Sequence, residues 1–230
     1  MKRDILFLCQ FFYPEYNSSA TLPFDTASYL AQNGYSVGAL CGYPREYNTS
    51  GEVPVRETKD GVSIHRLHYM QLSRHSKLGR LINYFSFTLS VLLHIFEIKD
   101  YQAVIVYSNP PVLPIAAILA NRLFKTKIIF VSYDAYPEVA YASGSLREGS
   151  TVSSVMQRIN RSIFQRAESV VALTDEMREY LLDHRPELSA DRVFTISNWA
   201  HEAAAGSKSA ARTELGYTDE DFIVAYFGNI

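Results

Sequence analysis

The stretch Ile5–Cys41, ILFLCQFFYPEYNSSATLPFDTASYLAQNGYSVGALC, reads as strand, long loop, helix and second strand. Ile5 to Phe11 is a short apolar run, interrupted only by Gln10, and reads as a buried strand covered on both faces. Pro23 to Asn33 has helical character, with Pro23 suited to a first turn and Gly34 supplying the left-handed residue that ends a helix. Val37 to Cys41 is again short, apolar and unbroken. This is one β-α-β unit.

The same alternation continues along the chain. Strands are predicted at Val62–Leu67 (after an Asp60-Gly61 turn), Ala103–Tyr107, Lys127–Val131, Ser169–Leu173 and Arg192–Ile196. Helices are predicted at Leu78–Ile98, Val112–Phe124, Val152–Arg166 and Asp175–His184. Continuous rather than alternating hydrophobicity in the strands requires both faces to be covered, so the fold class is α/β with a doubly wound parallel sheet. Residues 1–199 form this domain. Residues 200–221, rich in Ala, Ser and Gly at their start, read as a linker. Phe222–Phe227 reads as one more buried strand, and residues 222–230 as the opening of a second α/β domain that is otherwise absent. The alternative is a last edge strand of the same sheet.

A chain of 230 residues suffices for one α/β domain with a full core. The 22 Lys+Arg and 24 Asp+Glu nearly cancel to −2, so no global field marks a nucleic-acid binder. Hydrophobic residues at 47% and charged residues at 20% exclude disorder. Cys9 and Cys41 cannot build a disulfide framework and lack a CxxC zinc pattern, which leaves buried reduced thiols. Ile5–Cys9 is too short for a secretory core, so a cytoplasmic location is the default.

Ligands of such sheets collect at the carboxyl ends of the strands, near the point where strand order reverses. No glycine precedes Gly34, so the first loop has neither GxGxxG nor Walker A character, and a bound nicotinamide is disfavoured. The loop offers Tyr13, Glu15, Asn17, Ser18 and Ser19 instead, groups suited to a polyol such as a sugar. Ser19 or Thr21 could equally cap the next helix. Ser108 and Asn109 follow the fourth predicted strand. Tyr133, Asp134, Tyr136 and Glu138 follow the fifth, where Asp134 is the candidate base toward a sugar hydroxyl. The plainer alternative has Asp134 bracing its own loop and Glu138 opening a helix. Thr174 and Glu176 sit on the next helix start, as a cap with an acidic first turn or as ligand contacts.

From Gly61 to Phe96 there is no Asp or Glu, while Arg66, Arg74, Lys77 and Arg80 occur there with His65, His68, His75 and His94. Leu81–Phe96 carries no formal charge and as a helix spans about 24 Å, short of a bilayer crossing. Asn83, Ser86, Ser90 and His94 make one polar stripe on it. Either the helix is packed on several sides, or it lies on a membrane surface, with Arg74, Lys77, Arg80, Leu81 and Phe85 in contact with lipid. The histidines show no metal-ligand spacing.

Read together, Phe12-Tyr13-Pro14-Glu15, Asp60–Leu67, Tyr107–Pro111, Asp134–Glu138, Arg166–Thr174, Ile196–Trp199 and Tyr226–Ile230 resemble the N-terminal, acceptor-side half of bacterial family 4 GT-B glycosyltransferases, in the branch that makes capsule, O-antigen and exopolysaccharide. The resemblance implies two Rossmann-like domains closing over a cleft. The C-terminal one holds the nucleotide-sugar and carries a Glu-x7-Glu motif, which does not occur after Asn198. It further implies retention of anomeric configuration, no divalent metal or other cofactor, a lipid-linked glycan acceptor, and a peripheral position on the inner membrane face. Asn198 falls near the hinge. The isolated chain would then bind acceptor weakly and turn over nothing. Two departures are visible. Asn17-Ser18 stands where members commonly carry Gly-Gly near the donor phosphates, and Tyr133 stands where many place a histidine. Two other readings carry less of the sequence: a non-catalytic module that docks on membrane or on a partner supplying the donor domain, and an oxidoreductase or epimerase on the same sheet.

Overall fold

The computed structural model describes residues 2–45, 52–73, 76–200, 206–218 and 220–226. The chain divides into two compact units, Met1–Asn198 and Trp199–Ile230.

The first unit is an eight-stranded sheet. Its strands are β1 (Arg3–Cys9), β2 (Val37–Gly42), β3 (Arg56–Lys59), β4 (Val62–Leu67), β5 (Tyr101–Tyr107), β6 (Lys127–Ser132), β7 (Ser169–Ala172) and β8 (Val193–Thr195), in the spatial order β3-β4-β2-β1-β5-β6-β7-β8. Neighbours run parallel except β3, which pairs antiparallel with β4. Between these two, Asp60 (φ 48°) and Gly61 (φ 81°) make the two-residue reversal expected there. Strand β3, Arg-Glu-Thr-Lys, is absent from the sequence expectation: it has no apolar run, because it closes one edge of the sheet, where charged side chains suit the solvent and deter further pairing.

The helices are α1 (Ser18–Gln32), α2 (Lys77–Leu93), α3 (Pro114–Phe124), α4 (Glu138–Ala142), α5 (Thr151–Arg166) and α6 (Asp175–His184). Side-chain alternation along the central strands divides the core in two. Leu6, Leu8, Leu40, Val104 and Val106 pack with residues of α2, α3, α5 and α6. Phe7, Cys9, Ala39, Cys41, Ile105 and Tyr107 point the other way and pack with Ala27, Phe24 and Leu30 of α1. At Gly38 the missing side chain matters: a Cβ there would lie 2.1 Å from the Tyr101 hydroxyl.

The helix boundaries that differ most from the sequence expectation are three. Helix α1 begins at Ser18, with Pro23 inside it, because the extended backbone of Asn17 already ends the loop. Helix α3 begins at Pro114. The long helix predicted to Ile98 stops at Leu93 and tightens into a 3-10 segment, Ile95–Asp100.

The polar stripe of α2 faces inward. The Asn83 amide accepts from Leu72 N–H (2.8 Å) and donates to Leu72 C=O (2.9 Å). Ser86 Oγ accepts from Met70 N–H (3.1 Å), and Ser90 Oγ donates to His68 C=O (3.0 Å). The segment after β4 has no sheet neighbour for these backbone groups, so the helix supplies the partners. Leu78, Leu81, Phe85, Leu89 and Leu93 are left on the exposed side. Among the described residues no helix is long and apolar enough to cross a membrane.

In the second unit, α7 (Lys208–Leu215) is capped by Ser207 at its start and by Gly216 (φ 77°) at its end. The Asp221 carboxylate accepts from Thr218 N–H and its hydroxyl (2.6 and 2.8 Å). Phe222–Tyr226, read from sequence as a buried strand, forms no strand and is exposed. A strand exists only through pairing with a neighbouring strand, and among the described residues the sheet does not take this segment in. Phe227 and the residues after it lie outside the described residues.

Candidate functional site

Strand order reverses between β1 and β5, so the loops after these two strands and after β6 frame the crevice at the carboxyl edge of the sheet. The first loop is clamped from below. Arg66, wholly buried, donates to Tyr13 C=O (2.8 Å) and Pro54 C=O (2.7 Å), and pairs with Glu57. The Tyr13 ring stacks on Phe24 (4.8 Å), and Phe12 packs edge-on against the same ring (5.5 Å). Glu15 is buried, its carboxylate accepting Arg45 N–H at 3.3 Å. Tyr13 and Glu15 thus hold the loop's shape. Asn17 caps α1 through its backbone, and Ser18 and Ser19 form the first turn of that helix.

Ser108 joins the next two loops. Its buried hydroxyl accepts the N–H groups of Tyr133 and of Asp134, each at 3.0 Å. The Asp134 carboxyl is half-buried, and burial alone raises its pKa above the usual aspartate value. No donor reaches that carboxylate among the described residues, so it is available as an acceptor. The Tyr133 ring lies against Tyr107 (5.1 Å) with its phenol pKa pushed up by burial. Burial, followed by the Asp134 charge, pushes the Tyr136 phenol up to about 12. The Tyr133 and Tyr136 hydroxyls thus stay protonated as donors beside the one carboxyl, Asp134.

Behind Asp134 the loop is pinned from α5 and α6. Tyr136 C=O accepts from Asn160 Nδ2 and from Arg185 (3.2 Å), and Arg185 pairs with the Glu138 carboxylate at 2.7 Å. Glu138 opens α4, as its plainer reading had it. Thr174 Oγ1 accepts Met177 N–H (3.1 Å), the ordinary cap of α6. Glu176 sits exposed in that first turn, its pKa lowered by its own backbone N–H and then by the Thr174 hydroxyl. Asn198 is exposed at the end of the first unit.

Three amide oxygens in these loops are buried without a hydrogen-bond partner: Gln10 Oε1, Asn17 Oδ1 and Asn109 Oδ1. All follow β1 or β5, the two strands at the reversal. A buried acceptor without a donor costs about 1–3 kcal/mol, so each of these loop oxygens would gain from a ligand that donates a hydrogen bond. Asn17 and Asn109 were visible in the sequence as polar loop residues. Gln10, following an apolar run, was not, and Asn160 and Arg185 reach the loop from elements 24 and 49 residues further on.

Of the expected lipid contacts, Leu81 and Phe85 are exposed on the outer side of α2. Lys77 opens that helix, and Arg74, like His75, lies outside the described residues. Arg80 borders a crevice with Gln10, Arg45 and Tyr84. The fold also gathers His65, His94 and Glu97, whose ligand-type atoms lie within 4.8 Å of one another, a proximity invisible in their spacing. There the carboxylate already meets Arg56 (3.1 Å) and His65 Nδ1 (3.0 Å), and burial lowers the His65 pKa.

Sucrose-phosphate synthase from Thermosynechococcus elongatus is similar over 95% of this chain and 54% of its own, with a TM-score of 0.61 and 12% identity. Anabaena HepE in complex with UDP is similar over 93% of this chain and 50% of its own, with a TM-score of 0.56 and 12% identity. The catalytic domain of starch synthase IV from Arabidopsis thaliana, bound to ADP and acarbose, follows at 86% and 52%, TM-score 0.53 and 10% identity. The chain spans about half the length of these structures, and likeness at such identity speaks for the fold alone. No curated protein matches the sequence. The family described as "Glycosyl transferase 4-like domain" matches residues 24–205, which takes in the Ser108 and Asp134 loops, and the eight-stranded Rossmann-like sheet is that of a GT-B N-terminal half: the chain belongs to the glycosyl transferase 4-like family.

Proposed function

We propose that this chain is the acceptor-binding half of a retaining glycosyltransferase. It receives a sugar from a nucleotide-sugar held by a donor domain outside the chain and passes it to a lipid-linked glycan at the inner membrane face, in surface polysaccharide synthesis. The carrying observation is the set of orphaned amide oxygens of Gln10, Asn17 and Asn109 on the loops after β1 and β5, together with the half-buried Asp134 on the loop after β6. A polyol supplies the hydroxyl donors these acceptors lack, and one of its hydroxyls would give its proton toward Asp134. HepE, solved with UDP and with UDP-glucose, supports a nucleotide-sugar as the donor. The transition state, sugar cation and leaving diphosphate, is met by positioning and electrostatics without a divalent metal. The exposed apolar side of α2 supports peripheral membrane contact.

The test is transfer by the chain joined to its donor-binding half, with a panel of nucleotide-sugars and a polyprenyl-diphosphate sugar, the product read by mass. Asp134→Asn should lower kcat by about 10²–10⁴ with the fold intact by circular dichroism, and transfer should persist in EDTA. Acceptor binding without product from any donor would leave a non-catalytic docking module. An unchanged rate in Asp134→Asn would remove Asp134 from the chemistry.

A further inference from the structure

A second crevice, of about 50 Å3, opens between the first loop and the start of α2, lined by Gln10, Arg45, Tyr69, Arg80, Asn83 and Tyr84 among others. Gln10 is 2% exposed, and its Oε1 has no partner. The walls are fixed in place. Asn83 is bound at both ends of its amide to Leu72, and one Arg45 N–H donates to Leu72 C=O at 3.0 Å. A Cβ on Gly42 would lie 2.7 Å from the Tyr69 ring, so the bare backbone there lets that ring close the pocket.

Both guanidiniums are exposed, and among the described residues no carboxylate ion-pairs with either. The acid that touches this corner, Glu15, is buried and accepts the backbone N–H of Arg45 rather than its side chain. The whole segment from Gly61 to Phe96 lacks acids. Arg80 and Tyr84 of this crevice lie near enough to Tyr136, on the Asp134 loop, to act on its phenol, after burial and the Asp134 charge. Two unpaired cations call for an anion, preferably one with the planar oxygen pairs that guanidiniums grip. A fully ionised phosphate has no proton for Gln10 Oε1, so the ligand must also bring a hydroxyl next to its charge. Sugar phosphates have both.

Resting on the glycosyl-transfer reading, we propose that this crevice is a subsite for the phosphate or diphosphate ester of the acceptor sugar. The anion lies against Arg45 and Arg80, a neighbouring sugar hydroxyl donates to Gln10 Oε1, and the rest of the sugar extends toward Asp134. The ester is shared by soluble sugar phosphates and by carrier-linked ones.

Isothermal titration of the chain with N-acetylglucosamine 1-phosphate, N-acetylglucosamine, inorganic phosphate and UDP tests the assignment. The sugar phosphate should bind at least tenfold tighter than the plain sugar and tighter than inorganic phosphate. Arg45→Gln with Arg80→Gln should abolish the first advantage, and Gln10→Leu should weaken sugar and sugar phosphate alike. Measurable binding of the sugar and its phosphate with equal affinity, no binding of either the soluble or the carrier-linked ester, or an unaltered double variant overturns the proposal. Inorganic phosphate binding as tightly as the ester overturns the role of Gln10. UDP binding with the same arginine dependence makes the crevice a donor subsite and overturns the acceptor assignment. A polyprenyl-diphosphate sugar in micelles distinguishes the sources: a carrier-linked ester that binds where the soluble one does not assigns the lipid form, provided the double variant loses it. Melting curves check folding, and Arg80→Gln alone carries the test if the double variant melts early. Ester binding without transfer sinks only the glycosyl-transfer reading, whereas transfer with equal use of phosphorylated and plain acceptors sinks only this subsite.

Discussion

Asp134 has its N–H held by Ser108 and its carboxyl half withdrawn from water with nothing donating to it. Its pKa is raised in the folded chain, so the folded protein holds that proton more tightly than the unfolded one does. The associated stability is present below the ordinary aspartate range and is lost as pH rises through the raised value. Asp134→Asn, which removes the buried charge, should therefore melt at the same or a higher temperature at neutral pH. The difference should vanish as pH falls through the carboxylate range. A variant that melts several degrees lower at neutral pH would show the carboxylate bracing its own loop. Elsewhere in the core burial acts on thiols: Cys9 is raised well above its usual range, and Cys41 is pushed up to about 12 mainly by burial, in line with the buried reduced thiols expected from their apolar runs.

At the scale of elements, α2 is held by one stripe and open on the other. Its hydrogen bonds to His68, Met70 and Leu72 fix which side faces in, leaving Leu81, Phe85 and Leu89 at 50%, 56% and 57% exposure. Replacing these three by Gln should reduce co-sedimentation with anionic vesicles several-fold and leave the melting temperature nearly unchanged, since exposed side chains add little to the core. A parent protein that never sediments would return this face to ordinary surface. The elements differ in how legible they were. Strands β1, β2, β5 and β6 announce themselves as unbroken apolar runs because both faces are covered. Strand β3 does not, being polar and paired on one side only. The stripe on α2 was legible as a stripe, but the periodicity of a helix says nothing about which side meets the protein. That depended on unpaired backbone eleven to twenty-two residues away, a tertiary fact. The site shows the same division: Asp134, Ser108 and Asn109 follow from their place at strand ends, whereas Gln10, Arg45, Asn160 and Arg185 enter only when the fold brings distant segments together.

At the scale of the molecule, the sheet belongs to the first unit and the chain spans about half the length of the structures it resembles. On the reading proposed above, the 230-residue chain alone should bind an acceptor sugar yet show no transfer above background, and joining the donor-binding half should restore it. Turnover by the chain alone would mean that donor and acceptor share this one sheet. The buried Arg66 has a consequence for whatever enters. By anchoring the Tyr13 carbonyl beneath the first loop, it settles the conformational freedom of that loop during folding rather than at encounter. A guest then meets a mould instead of a closing hand: a misfit is refused because the wall does not remould, and the thermodynamics of entry reflect the guest's own rigidity more than the host's.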